Sequence, residues 1–530
     1  MEDVGLIIIL LSIVTALAQV TDRVRIPYPI LLVLAGIGIG LVPGLPHIHL
    51  NPDVVFLIFL PPVLYAAAWY TSWPDFKAHI RPISLLAIGC VLFTTVLVAM
   101  AAHYFIPGFD WPESFVLGAI ISPPDAVAAT AATKGLKIPK RIITILEGES
   151  LVNDATGLIA YRYAIAATAS GSFIFWLAGI NFFYVASLGV VVGLAVGYVF
   201  YWIHRITPDN ATTDTTFTLL APYASYLIAE EFEASGVLAV VAAGLFLSPR
   251  SSEIFSNRTR LQATAVWDTM IFILNGLIFI LIGLQLPMIF ENLGKFSMGT
   301  LLLYGTLVSA VTIVARILWV FPGTYLPRWL SKDVRNREPR PGMRQVAIVS
   351  WAGMRGIVSL AAALALPLMI SDNTAFPNRD LIIFLTFCVI FSTLVVQGVS
   401  LRKLIRLFRI TGDGEHQQVE ERTRLAVATQ VIEHIEESYS LGLSAAVLSQ
   451  IKSKYEIRIQ RLQKEQSAEK LTAEQIEEFL KIQLELIRHE RRFVLDMRRQ
   501  HLINDEMVRK IEYELDLEEA RLELELEKAE

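Results

Sequence analysis

Apolar residues run along the first 410 positions in long, nearly unbroken blocks, each closed by a short polar or charged connection. About 20 apolar residues in a helix cross a hydrocarbon core of roughly 30 Å. On that criterion the sequence predicts thirteen spans, near 4–21, 28–44, 53–70, 82–106, 113–133, 141–167, 176–203, 214–230, 234–248, 263–287, 299–325, 343–369 and 381–407. After Phe408 the period changes. Ile476, Phe479, Leu480, Ile482, Leu486 and Ile487 recur at helical spacing in a polar background. Residues 418–529 therefore predict three or four amphipathic helices, bundled or paired with a second subunit, with the charge run Glu514 to Glu530 as a solvated helix end. The pattern describes an all-α polytopic membrane protein: a transmembrane domain over 1–410 and a helical cytoplasmic tail over 411–530, for regulation or dimerisation.

Composition agrees, since 54% of the 530 residues are hydrophobic. The net charge of -5 conceals a split. Residues 411–530 hold 27 Asp and Glu against 18 Lys and Arg, whereas the first 410 hold 23 against 27. Cys90 and Cys388 both lie in apolar runs, so neither a disulfide framework nor metal-ligand spacing is visible. The acidic start Met1-Glu2-Asp3 lacks the basic region of a signal peptide, so the first apolar run is expected to be retained. Odd-numbered connections carry Arg23, Arg25, Lys77, Arg81, Lys134, Lys137, Lys140, Arg141, Arg205, Arg250, Arg258, Arg260 and the cluster Arg328 to Arg344; even-numbered ones carry Lys295 and Arg379. The positive-inside rule then puts the N-terminus outside and the tail in the cytoplasm of an inner or plasma membrane.

Thirteen spans also read as six, one, six, with the outer sixes inverted, a pattern of secondary transporters. The counterpart spans 5 and 12 carry matching interruptions, Ser122-Pro123-Pro124-Asp125 and Gly353-Met354-Arg355-Gly356. Proline removes a backbone donor and clashes with the preceding turn, and glycine loosens the chain. Backbone freed at membrane depth is tolerated only inside protein or beside a wet cavity.

Ionisable residues within spans are costly, commonly about 2–3 kcal/mol or more, and mark function by default. Here they are Asp125, Glu147, Glu149, Asp154, Arg162, Glu230, Glu231, Asp268, Arg316 and Arg355. Glu147, Glu230 and Glu231 lie near span ends, within reach of water, and Arg162 and Asp268 read as structural. The densest group is Gly148-Glu149-Ser150-Leu151-Val152-Asn153-Asp154 in span 6. Glu149 with Asn153, and Ser150 with Asp154, are each four apart and share one helix face. A small dehydrated cation needs several hard oxygen ligands. Asp154 and Ser150, with carbonyls freed near Pro124 and with water, supply that set for a transported cation. Exchange by competition requires a carboxylate that titrates near the working pH, and Asp154, beside neutral Asn153, is the candidate. Buried Arg316 and Arg355 each demand a partner. Arg316 is expected to meet Glu149, and Arg355 to cap the broken helices near Asp125.

These residues resemble a known family. Gly148 to Asp154 resembles the signature helix of the sodium/proton exchangers, of the NhaP and eukaryotic type. Ser122 to Ala128 is similar to that family's interrupted fifth helix, and Gly353-Met354-Arg355-Gly356 to its break in the twelfth. The likeness covers about residues 1–410, and Leu502 to Glu506 and Glu514 to Ala520 are similar to tails of bacterial members. The resemblance implies an inverted-repeat fold with crossed interrupted helices, and a homodimer with a scaffold and a mobile core that alternate access like an elevator. It implies that Asp154 holds the cation (Na+ first, with Li+ or K+ as alternatives) or a proton, with Glu149 and Ser150 nearby and Asn153 as the neutral neighbour. An Asn-Asp pair in the family goes with electroneutral one-for-one exchange serving pH and sodium homeostasis. The family also implies the Glu149–Arg316 pair. Some members have threonine or valine before the aspartate where this chain has Pro124, so the selectivity of threonine-bearing relatives does not transfer.

Two other classes frame this reading. A channel would need a selectivity-filter loop, and no glycine run between short helices is present. A membrane enzyme or sensor would need chemistry in the tail, which has no phosphate loop, metal spacing or nucleophile motif; His434 and His489 read as solvated-face residues. No cofactor and no nucleic-acid partner is expected.

Overall fold

The computed structural model describes all residues except 1, 25–27, 43–51, 127–128, 131–135, 137, 171–174, 294–295, 338–339, 372–373, 411–413, 440–451, 453–458, 460–472, 501–504 and 528–530. Arg25, Lys134, Lys137 and Lys295 of the charge count, Val127 and Ala128 of the fifth-span motif, and Leu502 to Asn504 of the tail lie outside the described residues. The chain divides into two compact units, Met1–Gly412 and Asp413–Glu530.

In the first unit each predicted span contains helix. The helices are α1 (Glu2–Val24), α2 (Tyr28–Gly40), α3 (Pro52–Tyr70), α4 (Ile80–Phe105), α5 (Trp111–Ile121), α6 (Lys140–Ser170) and α7 (Phe175–Ile206). They continue with α8 (Ala211–Glu231), α9 (Gly236–Leu247), α10 (Asn257–Asn292), α11 (Met298–Leu330), α12 (Met343–Trp351), α13 (Ile357–Leu364) and α14 (Arg379–Leu407). Six described helices are long and apolar enough to cross a membrane, and shorter apolar helices accompany them.

Local chemistry sets several boundaries. Asn210, Ser235, Ser256 and Ser297 cap α8 to α11 by accepting from backbone N–H groups of the first turn, which have no partner within the helix. Span 12 ends sooner than the hydropathy predicts. α13 stops at Leu364, two short strands follow, β1 (Met369–Ser371) and β2 (Thr374–Ala375), and they pair antiparallel. Pro367 cannot continue a helix and pushes the residue before it out of the helical region. This pair holds the strands found among the described residues. Two helices also carry a wider turn that no periodicity announces, Leu85–Cys90 in α4 and Thr393–Gln397 in α14. Such π-turns often sit at functional places.

α5 packs between α4 and α6, and α11 lies against α4, α12 and α14. α2 runs along α10 and α7 along α9. The first of these contacts is close because a Cβ on Gly36 would collide with the Ile280 carbonyl, and one on Gly283 with the Val33 carbonyl. Small residues let helix backbones approach in this way inside membranes. Apolar side chains also cover the exterior: Phe183, Val191, Leu303 and Leu318 are exposed. Arg316, Arg355, Glu149 and Asn153 are buried. Charge inside and apolar surface outside suit lipid as solvent.

The second unit contains α15 (Gly414–Tyr439), α16 (Ala473–Arg499) and α17 (Asp505–Glu527). α16 and α17 pack antiparallel through Leu480, Leu484, Ile487, Leu515 and Leu522. Arg491 of α16 donates to Asp516 at 2.5 Å and Glu519 at 2.7 Å. The acidic run from Glu514 lies in α17 through Glu527.

Candidate cation site at the broken helices

The unwound stretch after Ile121 and the one between Trp351 and Ile357 face each other. Each supplies what the other lacks. The Asp125 N–H, freed by the two prolines, donates to the Met354 carbonyl at 2.7 Å. Arg355, with no exposed surface, donates from Nε to the Ile121 carbonyl at 2.9 Å and from Nη2 to the Ser122 carbonyl at 3.2 Å. It also donates to the Gly353 carbonyl of its own break. One guanidinium thus satisfies carbonyls at the end of α5 and in the opposite break, where no i+4 donor exists. Its own N–H donates to Thr393 Oγ1 at 3.1 Å, in the π-turn of α14. Asp125 packs so tightly on Gly356 that any side chain there would meet its carboxylate.

α6 crosses beside these breaks, and its polar face meets them. Asn153 donates to the Pro124 carbonyl at 2.6 Å. Ser150 Oγ accepts from the Ala126 N–H at 3.3 Å, where helix resumes. Gly157 lies against Pro123, a contact that a Cβ would prevent. Glu149 turns the other way. Its two oxygens accept from Arg316 Nη1 at 2.6 Å and Nη2 at 2.8 Å, a bidentate pair with almost no solvent contact. Arg316 further donates to the Val349 carbonyl at 3.3 and 3.1 Å, in the last turn of α12.

Asp154 is buried, at 7% exposed, and makes no ion pair among the described residues. Asp125 lies near it. The structure therefore brings Pro124, Asp125, Ser150, Asn153 and Asp154 to one place, and Glu149, Arg316 and Arg355 brace it. A Cys, His, Asp and Glu cluster of the kind that holds a resident metal is absent among the described residues. An oxygen set made of the Asp154 and Asp125 carboxylates, a hydroxyl and freed carbonyls suits a hard cation.

The other in-span charges go elsewhere. Arg162 pairs with both oxygens of Glu230, at 2.8 and 2.7 Å, and the pair is partly exposed. Asp268 is exposed and accepts from Tyr70 Oη at 3.2 Å. Glu147 is half-buried and Glu231 exposed. Reading charges alone overlooked four contacts. Thr95 of α4 donates to Ser122 at 3.0 Å, and Thr393 receives Arg355. Buried Glu113 at the start of α5 accepts from Asn378 at 2.7 Å. Buried His204 and Asp214, which bond at 2.9 Å, pair α7 with α8. Of these, Glu113 and Asp214 had a signal, as charges at the first positions of spans 5 and 8.

Comparison with known proteins bears on the family and the fold. The family described as "Sodium/hydrogen exchanger, transmembrane" matches residues 8–407. An uncharacterized Na(+)/H(+) exchanger of Mycobacterium tuberculosis is 33% identical over 98% of this chain and 97% of its own length. The sodium, potassium, lithium and rubidium/H(+) antiporter of Bacillus pumilus is 34% identical over 75% of this chain and 61% of its own length. The structure of the sodium proton antiporter MjNhaP1 from Methanocaldococcus jannaschii at pH 8 superposes with a TM-score of 0.60. That likeness covers 76% of this chain and 98% of that one at 19% identity, so it speaks for the fold. A match over most of the transmembrane unit, with full-length relatives above 30% identity, makes this chain a member of the sodium/hydrogen exchanger family, which are secondary transporters rather than enzymes.

Proposed function

We propose that this protein exchanges a monovalent cation, Na+ first with Li+ and K+ as alternatives, for a proton, and that Asp154 holds each in turn. Charge balance around the breaks is the observation that carries the reading. Glu149 is offset by Arg316 in a bidentate pair. Arg355 stands in the same layer as Asp125, on the backbone next to it. Asn153 is neutral and already engaged with the Pro124 carbonyl. Asp154, buried and with no ion pair among the described residues, is then the carboxylate on this face of α6 open to a mobile positive charge. A sodium ion and a proton each neutralise it once, so occupancy by one excludes the other. Crossing in either form moves the same charge, which gives electroneutral one-for-one exchange. Ser150, Asp125 and the carbonyl layer at Pro124 complete the oxygen set with water.

Loop charge supports an external N-terminus and a cytoplasmic tail in the plasma membrane. The division at Gly412 and Asp413 supports a transmembrane exchanger with a separable helical tail. Under this reading the working unit is a homodimer whose core carries the site across by an elevator-like motion, and it serves pH and sodium homeostasis. The test is dye-reported pH change in proteoliposomes on addition of Na+, Li+ or K+, with and without an imposed potential. Asp154→Asn abolishes exchange in a protein that still folds, while removal of residues 411–530 leaves basal exchange. Normal exchange by Asp154→Asn refutes the site assignment, and a rate that follows the imposed potential refutes electroneutrality.

A further inference from the structure

The tail carries a feature that ion exchange does not use. In the hairpin of α16 and α17, Leu480, Leu484 and Ile487 of α16 turn toward α17. A residue two positions further along a helix sits about 200° around it, so Ile482 and Leu486 point to the opposite face. They are 50% and 57% exposed, and Phe493 is 62% exposed. His489, between Leu486 and Phe493, is exposed as well. Ile482, Leu486, His489 and Phe493 follow one another at spacings of four, three and four, the seam of a coiled coil. Three large apolar side chains in one exposed stripe mark a surface that something covers.

The polar residues beside the stripe say what covers it. On one flank stand Glu485 and Arg492, seven positions and so two turns apart, both exposed. Arg492 Nε donates to the Arg488 carbonyl of its own helix at 3.4 Å, a contact that runs along the helix and leaves the side chain in solvent. On the other flank stand half-buried Gln483 and exposed Glu490, again two turns apart. A second α16 can be laid antiparallel on the first, with Leu486 facing His489 of the other copy and Phe493 facing its Ile482. Each Glu485 then falls beside the other copy's Arg492. Each Gln483 falls beside the other copy's Glu490, an amide that donates to a carboxylate. A parallel pair instead sets Glu485 against Glu490 on both sides, and like charges repel. The pattern is its own complement under a two-fold axis, which is what an isologous contact between identical chains requires. A membrane surface fits less well. Interfacial helices flank their apolar stripe with Lys and Arg, whereas an anionic leaflet repels Glu485 and Glu490. The tail as a whole is acidic, with 27 Asp and Glu against 18 Lys and Arg.

We propose that α16 is a clasp between two copies of this chain: their tails join through an antiparallel pair of α16 helices, with Ile482, Leu486, His489 and Phe493 as the seam and a Glu485–Arg492 pair on either side of the axis. The seam is about three turns long, roughly 16 Å at 1.5 Å per residue. So short a seam holds weakly between free molecules. Tails carried by one membrane dimer meet at an effective concentration of about millimolar, which is enough for a weak contact to persist. The inference rests on the homodimer proposed above and not on the role of Asp154, and its test does not read transport.

Full-length chains are coexpressed as two tagged populations, one with Gln483→Cys and the other with Glu490→Cys, and treated in membranes with a short bismaleimide. The unsubstituted chain, whose Cys90 and Cys388 lie in the transmembrane unit, is the blank. The product that joins the two tags is expected at least about tenfold above the product of a Glu485→Cys population with a Glu490→Cys population, which a parallel pair brings together. Glu485→Arg in both populations lowers the 483–490 product about fivefold, and adding Arg492→Glu returns it to within about twofold. A dominant 485–490 product overturns the antiparallel register. Equal traces of both products overturn the clasp, and a 483–490 product indifferent to the charge changes overturns the Glu485–Arg492 pairing. Leu486→Cys shielded from a water-soluble maleimide in membranes, yet reactive in detergent, would give the stripe to the bilayer instead. The mass in detergent of the chain lacking residues 411–530 reports the homodimer separately. A dimer there without the 483–490 product overturns the clasp alone, and a monomer overturns the homodimer of the transmembrane unit whatever the product shows.

Discussion

The pair between Glu149 and Arg316 offers a quantitative test of how the broken-helix layer is held. Arg316→Met removes two hydrogen bonds to the carboxylate and two to the Val349 carbonyl. Glu149 is then a buried charge without its partner, a loss of about 3–5 kcal/mol. Val349 lies in the last turn of α12, where carbonyls lack intrahelical donors. Its orphaned oxygen costs about 1–3 kcal/mol more. Together the single change costs about 4–8 kcal/mol. Glu149→Leu leaves the guanidinium buried with one carbonyl, a loss of about 3–5 kcal/mol. In the double variant both charges are gone, and only the carbonyl remains unpaired, at about 1–3 kcal/mol. The double variant is therefore expected to be more stable than either single variant. Unfolding of the detergent-solubilised full chain, followed by heat or denaturant across the four proteins of the cycle, measures this. A double variant as destabilised as the sum of the singles would refute the reasoning, because it would mean that the two charges do not stabilise one another.

Other perturbations address single contacts. Gly356→Ala drives a methyl group into the Asp125 carboxylate and is expected to lower exchange by more than about tenfold, since a misplacement near 1 Å is enough to do so; unchanged proteoliposome flux would contradict the close packing of the breaks. Asn153→Ala leaves the Pro124 carbonyl without its donor and should destabilise by about 1–3 kcal/mol, whereas a neutral result in thermal unfolding would mean that another group takes over that bond. Outside the spans, the hydrogen bond from the Lys140 ammonium holds the Asp75 carboxyl below its ordinary range, at 2.8 Å. A carboxyl lowered on folding contributes stability above the unfolded value and loses it as pH falls through the folded one, so the contribution is present at neutral pH and fades below the usual carboxylate range. Both groups are a third or more exposed, which limits the effect to at most about 1 kcal/mol, and Lys140→Met should remove the difference between melting at pH 7 and at low pH that this pair makes.

Hydropathy made the helices legible because a bilayer imposes one length and one polarity on every span. The prolines at 123 and 124 and the glycines at 353 and 356 were equally legible as breaks, since their backbone chemistry is local. So was the cost of each buried charge, which stated a demand without naming the answer. The end of span 12 was misread by a few residues because Pro367 outweighs the hydropathy around it.

What remained to the tertiary structure is who meets whom. Glu149 and Arg316 are 167 positions apart, and Arg355 reaches carbonyls 233 and 234 positions away. No periodicity carries such distances, because helix packing, not chain proximity, decides them. The π-turns at Leu85–Cys90 and Thr393–Gln397 each meet a distant donor, Trp319 Nε1 on the Leu85 carbonyl and the Arg355 N–H on the Thr393 hydroxyl. The sequence by itself determined where the chain crosses the membrane and where it breaks, through the local energetics of burying apolar side chains and freeing backbone. The sequence stated that Arg316 needs an acidic partner and offered Glu149; only the folded arrangement supplied the contact itself and the carbonyls that Arg316 and Arg355 also reach, because helix packing sets them.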